Sequence, residues 1–121
     1  MMKIEVLLAD DHAIIRDGLK KILADTDDMV VAGEAMNGHA ALDLVRERNW
    51  GLVVLDLSMP GRSGVELIKL IKIERPSCPV LIFSMHPEEQ YAVRALRAGA
   101  SGYLAQEGDS DLIRPAVRKV A

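Results

Sequence analysis

Three aspartates stand directly after short apolar segments of the chain, where carboxylates could bind a metal ion or take part in phosphoryl transfer. Asp56 follows the apolar run 51–55, and Asp10 and Asp11 follow the apolar run 3–9. Apolar runs this short, next to turn-forming residues, are typical of strands buried on both faces of a parallel sheet. Open sheets of that kind bind their ligands at the carboxyl ends of the strands. A second interpretation of Asp56 is that it only stabilises the turn that follows, as aspartate often does.

The rest of the chain supplies the elements that would position these aspartates. Apolar segments of strand length alternate about five times with segments in which apolar residues recur every three or four positions. The predicted strands cover residues 3–9, 29–34, 51–55, 79–83 and 101–104. This alternation predicts a parallel sheet with helices packed on both faces. Because the carboxyl ends of parallel strands meet at one edge, the side chains that follow them are expected to share a crevice.

The composition sets the class of protein. With 121 residues, 50% of them hydrophobic and 27% charged, the chain is expected to fold as one globular domain. A net charge of −3 argues against a nucleic-acid-binding surface on this domain itself. Cys78 is the only cysteine, which fits a reducing compartment, and no apolar stretch approaches the length of about 18 residues that crosses a bilayer. We therefore expect a cytoplasmic domain that does not contact membranes.

The predicted strand ends bring five polar side chains to one edge of the sheet. They are Asp10, Asp11, Asp56, Ser84 and, in the last loop, Gln106. Three neighbouring carboxylates repel one another unless a cation neutralises them, and oxygen ligands of this kind suit Mg²⁺. A carboxylate beside Mg²⁺ is a competent nucleophile toward phosphorus and would form an acyl phosphate. The Ser84 hydroxyl could then donate a hydrogen bond to a phosphoryl oxygen.

The sequence resembles the receiver domain of two-component response regulators over essentially its whole length. The motifs that carry the resemblance are Ala9-Asp10-Asp11-His12, residues 54–61 (VLDLSMPG), Ser84 and residues 99–104 (GASGYL). The resemblance implies a doubly wound, five-stranded parallel α/β sheet of the flavodoxin-like (βα)5 type, with strand order 2-1-3-4-5, in which residues 1–121 form one receiver domain. The first and last motifs are most similar to those of regulators with a LuxR-type helix-turn-helix output domain. Such a domain would follow Ala121 and is not expected within this chain.

The same resemblance implies a metal site and a phosphoacceptor. Asp56 would accept a phosphoryl group from a sensor histidine kinase. Asp10 and Asp11 would hold Mg²⁺ together with Asp56 and the backbone carbonyl of Ser58. The implied partners are the kinase, a second copy of the domain after phosphorylation, and DNA only through an output domain, whose activity would be transcriptional.

Three further positions bear on switching. The resemblance implies that Ser84 turns its hydroxyl toward the phosphoryl group and that Tyr103 rotates inward behind it. Gln106 departs from the family pattern, because receivers normally carry at that position a lysine that pairs with the phosphoryl group. Loss of a charge-assisted hydrogen bond costs about 1.5–3 kcal/mol, so Gln106 is expected to weaken phosphorylation or the switch.

Three other functions stay open at this point. The domain could be an interaction or dimerisation module in which Gln106 has removed phosphate control. It could instead be a small phosphatase that uses Asp56 as nucleophile, but phosphatases that resemble the haloacid dehalogenase family carry a second aspartate where this chain has Ser58. We therefore expect no turnover enzyme. A flavin-binding protein of the same topology is disfavoured because no Gly/Ser/Thr-rich loop follows the first strand.

Overall fold

Strands and helices alternate along the chain. The computed structural model describes residues 4–26, 28–56, 64–84 and 89–105. The strands in these ranges are β1 (Ile4–Ala9), β2 (Met29–Ala35), β3 (Leu52–Leu55), β4 (Val80–Ser84) and β5 (Gly102–Ala105). The helices are α1 (Ala13–Ala24), α2 (Gly38–Glu47), α3 (Gly64–Glu74) and α4 (Glu89–Ala98). Ser58 and Gln106 lie outside the described residues.

The five strands form one parallel sheet in the order β2-β1-β3-β4-β5. The predicted fold class and strand order are therefore confirmed. After β1 the chain builds β2 on one side and then crosses over to build β3 on the other, so the winding reverses between β1 and β3. Ala9 pairs with Leu55 at the carboxyl ends of these two strands. Open α/β sheets bind ligands at such a reversal, and the residues that follow there are Asp10 and Asp56.

An apolar core covers each face of the sheet. Val53 and Leu55 of β3 belong to the core shared with α2 and α3, whereas Leu52 and Val54 belong to the core shared with α1. Successive side chains of a strand point to opposite faces, so a strand that is apolar throughout needs helices on both sides. All four residues of β3 are buried, which fixes the strand that carries Asp56 at its end.

Trp50 is buried at the opposite edge of the sheet, just before the amino end of β3. Its indole Nε1 donates a hydrogen bond of 2.9 Å to the carbonyl oxygen of Leu44 in α2. The register between β1 and β2 shifts after Val6, so that Leu7 is the partner of Gly33. The Trp50 ring lies so close to Gly33 that a Cβ atom there would come within 2.6 Å of Cη2. Only glycine leaves room for the ring at this point of β2.

The helices that follow β1 and β2 begin in different ways. Asn37 caps α2, since its side chain accepts a hydrogen bond of 2.8 Å from the backbone N–H of Ala40. His12 occupies the corresponding position before α1, but its side chain makes no capping hydrogen bond. Its imidazole lies against the aspartates instead. None of the helices in the described ranges is long and apolar enough to cross a membrane.

Candidate functional site

The ladder of the sheet continues one residue beyond the two central strands and thereby positions Asp10 and Asp56. The backbone N–H of Asp56 donates to the carbonyl oxygen of Ala9 at 2.9 Å, and that of Asp10 donates to the carbonyl oxygen of Ala35 at 3.0 Å. Both residues are buried, with 3% of Asp10 and 2% of Asp56 exposed. The strands therefore hold two neighbouring carboxyl groups out of bulk water.

Three carboxylates and one imidazole meet at this point. Each of Asp10, Asp11, His12 and Asp56 offers one potential ligand atom, and these four atoms all lie within 4.8 Å of one another. We call the three carboxylates of Asp10, Asp11 and Asp56 the acidic cluster. Asp11 lies at its rim, with 30% of its side chain exposed. The structure thus brings together the three aspartates that the sequence placed at the ends of β1 and β3.

Burial and the charge of a neighbouring carboxylate change the pKa of Asp10. The pKa of Asp10 is raised, chiefly because burial disfavours its carboxylate and further because the Asp56 charge lies beside it. A hydrogen bond of 2.8 Å from the backbone N–H of His12 to Asp10 Oδ1 opposes this rise. A divalent cation would remove both unfavourable effects by neutralising the carboxylates. Oxygen donors that are close together and partly buried fit Mg²⁺, which binds one or two protein carboxylates and retains several water ligands.

His12, which the sequence places in the motif Ala9-Asp10-Asp11-His12 without assigning it a role, lies against the acidic cluster. Its Nδ1 lies 2.9 Å from Asp11 Oδ1, 3.0 Å from Asp10 Oδ1 and 3.7 Å from Asp56 Oδ2. The hydrogen bond with Asp10, followed by the charge of Asp11, raises the pKa of His12. A protonated imidazole is therefore a counter-ion for the acidic cluster. The one signal in the sequence was its place directly after the two aspartates, where either a helix cap or a rim residue fits equally well.

Arg16, one turn into α1, holds the turn that carries the acidic cluster. Its Nη1 donates a hydrogen bond of 2.5 Å to the carbonyl oxygen of Asp10. Its Nε pairs with Glu34 of β2 at 3.2 Å, and Lys20 of α1 pairs with the same carboxylate at 3.2 Å. The arginine therefore ties the β1–α1 turn to both α1 and β2. No motif in the sequence pointed to this contact.

Two of the four remaining predicted site residues fall within described elements. Leu55 pairs with Ile82, so Ser84 at the end of β4 lies at the same edge of the sheet as Asp56. Tyr103 of β5 pairs with Ile82 of β4 and packs, half-buried, against the core shared with α2 and α3. The other two, Ser58 and Gln106, lie outside the described residues, and their roles stay predictions.

The chain is similar to proteins of one family over nearly its whole length. Residues 6–118 match the family described as the response regulator receiver domain. The transcriptional regulatory protein DegU of Brevibacillus brevis is 37% identical over 119 residues, which are 98% of this chain and 50% of DegU. The nitrate/nitrite response regulator protein NarL of Escherichia coli K12 is 34% identical over 116 residues, 96% of this chain and 54% of NarL. The chain thus spans about half the length of these curated relatives.

Solved structures show the same architecture. A LuxR-family two-component response regulator from Aurantimonas sp. SI85-9A1 superposes with a TM-score of 0.93 and 32% identity, covering 98% of this chain and 84% of that one. The signal receiver domain of the NarL regulator from Mycobacterium tuberculosis gives a TM-score of 0.92 and 31% identity, with 98% and 96% covered. These values show that the chain shares its fold with both structures.

Proposed function

Since the chain belongs to the response regulator receiver domain family, we propose that it accepts a phosphoryl group on Asp56 from a sensor histidine kinase, in a Mg²⁺-dependent reaction, and thereby switches an output. The observation that carries this proposal is the position of Asp56: buried, at the end of a central strand, beside Asp10 at the reversal of the sheet. The curated relatives include a transcriptional regulatory protein and a nitrate/nitrite response regulator. The output is therefore proposed to be transcriptional.

The acidic cluster would hold the metal ion. Its three carboxylates are the oxygen donors that Mg²⁺ takes in proteins, and the backbone carbonyl of Ser58 is proposed as a fourth protein ligand. When bound, Mg²⁺ would neutralise the negative charge that gathers around the transferring phosphoryl group. Receiver domains bind Mg²⁺ at their acidic pocket, which supports this assignment.

Asp56 would act as the nucleophile. One of its carboxylate oxygens attacks phosphorus, the bond between phosphorus and the kinase histidine nitrogen breaks, and an acyl phosphate forms on Asp56. The hydrogen bond from its backbone N–H to Ala9 fixes the strand end that presents the carboxylate. Its burial limits the access of water to the acyl phosphate.

Ser84 and Tyr103 are the proposed switch residues. The Ser84 hydroxyl would donate a hydrogen bond to a phosphoryl oxygen, and the Tyr103 ring would move further inward behind Ser84. The half-buried position of Tyr103 against the core leaves part of its surface still to be covered. Receiver domains act in signalling and not as turnover enzymes, so we propose that the phosphoryl group is held on Asp56 and read by partners.

The proposed partners follow from the family. A histidine kinase would donate the phosphoryl group, and a second copy of the domain would bind after phosphorylation. Because the chain spans about half the length of its curated relatives, DNA binding is proposed only for an output domain of the whole protein. The net charge of −3 is unfavourable for DNA contact by the receiver itself.

A second function is favoured by Gln106. An amide at this position supplies no charge to pair with the phosphoryl group, so the domain could act as an interaction or dimerisation module that phosphorylation does not control. Self-association that is equally strong in the native protein and in Asp56→Asn would favour this alternative. Replacement of Gln106 by lysine would then leave self-association unchanged, whereas it should strengthen a phosphate switch.

The test of the proposed function is a phosphorylation assay. The protein is incubated with Mg²⁺ and acetyl phosphate, and its intact mass is followed by mass spectrometry. We expect one added phosphoryl group, loss of labelling in Asp56→Asn, and loss of labelling when EDTA replaces Mg²⁺. Asp43→Asn is the matched control, because Asp43 is an exposed aspartate of α2 that lies 3.5 Å from His39 and outside the acidic cluster. Equal labelling of Asp56→Asn would exclude Asp56 as the acceptor.

A further inference from the structure

We propose that Asn37 is a site of spontaneous covalent modification, deamidation to aspartate and isoaspartate, and that opening of the first turn of α2 controls the rate. The reacting groups are the Asn37 side chain, the backbone nitrogen of Gly38 and water. Both residues stand where β2 gives way to α2, and neither belongs to the acidic cluster. The inference therefore goes beyond the proposed phosphorylation and does not depend on it.

The sequence supplies one reactive pair. The chain has two asparagines, Asn37 followed by Gly38 and Asn49 followed by Trp50. Deamidation begins when the backbone nitrogen of the following residue attacks the asparagine side chain, and glycine has no Cβ that hinders this approach. The bulky side chain of Trp50 does hinder it. In the unfolded chain, Asn37 is therefore the reactive asparagine, and Asn49 is an internal control.

The reaction passes through a cyclic imide. The Gly38 nitrogen forms a bond to Cγ of Asn37, its proton goes to the side-chain amide nitrogen, and the bond between Cγ and Nδ2 breaks to release ammonia. Water then adds to one of the two imide carbonyls. If the bond from nitrogen to Cγ breaks, aspartate forms. If the bond from nitrogen to the backbone carbonyl carbon breaks, the chain continues through Cγ as isoaspartate.

The native fold holds Asn37 in a conformation that does not allow the ring to close. Closure needs the Gly38 nitrogen nearly eclipsed with Cβ of Asn37, whereas the observed ψ of 169° leaves them staggered. Asn37 Oδ1 accepts a hydrogen bond of 2.8 Å from the N–H of Ala40, and its backbone carbonyl accepts one of 3.1 Å from Ala41. Rotation about ψ turns this carbonyl away from Ala41. The first turn of α2 must therefore open before the imide forms.

Packing against α3 also holds this turn closed. Gly38 is buried, and a Cβ built on it would lie 3.4 Å from Cδ2 of Leu67. That distance is an ordinary contact, so Gly38→Ala fits the native fold. The substitution thus removes the reactive pair while the helix and its cap are kept.

The two products have different effects on α2. Aspartate caps a helix as well as asparagine does, and its negative charge is favourable at a helix amino terminus. Isoaspartate adds one carbon to the backbone and shortens the side chain, so the carboxylate no longer reaches the N–H of Ala40 in the same geometry. We therefore expect α2 to keep its first turn in the first product and to lose it in the second.

The experiment follows both asparagines by peptide mass mapping during incubation at mildly alkaline pH, in buffer and in urea. In urea we expect the peptide with Asn37 to gain about 1 Da and the peptide with Asn49 to stay unchanged. Gly38→Ala should slow the reaction in urea about tenfold. In buffer, deamidation of the native protein should be at least about tenfold slower than in urea, because it waits for local opening.

Two matched glycine variants test which opening controls the rate in buffer. Ala40→Gly keeps the N–H that donates to Asn37 but weakens the first turn of α2, so we expect deamidation about two- to fivefold faster. Ala13→Gly makes the same change in the first turn of α1 and should leave the rate unchanged.

Three results would overturn the inference. The first is an Asn37 peptide that stays unchanged in urea, which would remove the site. The second is an equal rate in buffer and in urea, which would show that the fold gives no protection. The third is an equal rate in Ala40→Gly and Ala13→Gly, which would show that opening of the first turn of α2 does not control the reaction.

Discussion

At the scale of single residues, the ionised carboxylate of Asp10 opposes folding when no cation is bound. Asp10 is buried beside Asp56, and both burial and the neighbouring charge raise the pKa of its carboxyl group. An ionised group held under these conditions is less stable than it would be in the unfolded chain. His12 offsets part of this effect from the rim. The charge on Asp10 therefore lowers the stability of the metal-free domain, and the proposed Mg²⁺ would relieve this effect.

Replacement of Asp10 by asparagine should stabilise the metal-free domain. The amide keeps an oxygen that accepts the hydrogen bond from His12 but removes one buried charge. We expect a gain of about 1 kcal/mol, which corresponds to a rise of roughly 4 °C in Tm for a domain of this size. Thermal unfolding in EDTA measures it, and Mg²⁺ should then raise the Tm of the native protein but not that of Asp10→Asn. A lower Tm for Asp10→Asn than for the exposed control Asp43→Asn would contradict the prediction.

The metal-free domain should lose stability as the pH rises. A group whose pKa is raised by folding stabilises the fold below its unfolded pKa, and this contribution disappears as the pH passes its folded pKa. Both Asp10 and His12 have raised pKa values, so both groups make the domain less stable as the pH rises. The stabilisation that comes from protonated His12 is lost as the pH rises above the ordinary histidine pKa of about 6.5. Tm values measured in EDTA from pH 5 to about 9 should fall less steeply for His12→Asn than for the native protein, and parallel curves would rule out the His12 contribution.

At the scale of elements, the turn between β1 and α1 matters most for the site. Asp10 and Asp11 lie in this turn, and a turn held only by its own backbone would leave their carboxylates free to move. Arg16 contacts the carbonyl of Asp10 while it pairs with Glu34 of β2. The planar guanidinium can make both contacts at once, which an ammonium group cannot.

Loss of this contact should weaken Mg²⁺ binding. We expect Arg16→Ala to raise the Mg²⁺ dissociation constant by about tenfold, with Arg16→Lys showing a similar loss, as measured by calorimetry. Removal of a positive charge near the site would by itself strengthen Mg²⁺ binding, so weaker binding isolates the positioning effect. Arg46→Ala is the matched control, because Arg46 makes a comparable exposed pair with Glu74 at 3.1 Å. Tighter Mg²⁺ binding in Arg16→Ala would contradict the role proposed for this contact.

The contact between β2 and Trp50 gives a second prediction at this scale. An alanine at Gly33 would place its Cβ 2.6 Å from the indole ring, so the ring or the strand must shift. We expect Gly33→Ala to lower the free energy of unfolding by about 1–3 kcal/mol, as overpacking does. Gly18 in α1 has open space around it, and Gly18→Ala should stabilise by about 0.5–1 kcal/mol. Urea denaturation measures the free energy of unfolding of both variants. Equal denaturation midpoints for Gly33→Ala and Gly18→Ala would refute the steric explanation.

At the scale of the whole molecule, the winding of the sheet decides which strands are protected. β1 and β3 have neighbours on both sides and helices on both faces, whereas β2 and β5 are the outer strands of the sheet in the described residues. Backbone amides of β1 and β3 should therefore exchange with solvent only through global unfolding. Hydrogen exchange followed by NMR should find them the slowest and those of β5 faster. Slower exchange in β5 than in β3 would contradict this order.

The sequence allowed the fold to be predicted in more detail than the site. Each apolar run became a strand, because a run buried on both faces leaves little choice of structure, and the errors are of one residue, as where β2 reaches Ala35 and β5 runs over Gly102–Ala105. The meeting of Asp10 with Asp56 follows from the same strand ends. The positions of His12 and Arg16 depend on side-chain rotamers and on contacts between elements distant in sequence, for which the periodicity of apolar residues carries no information.

The position of Trp50 has a practical consequence. It is the only tryptophan of the chain, and it is buried before the amino end of β3, while Asp56 follows the carboxyl end of that strand. The six residue-to-residue steps from Trp50 to Asp56 span on the order of 20 Å in extended conformation. Its intrinsic fluorescence should therefore report loss of the native environment on unfolding and remain unchanged when a metal ion binds. The protein contains its own optical probe of folding, independent of the occupancy of its site.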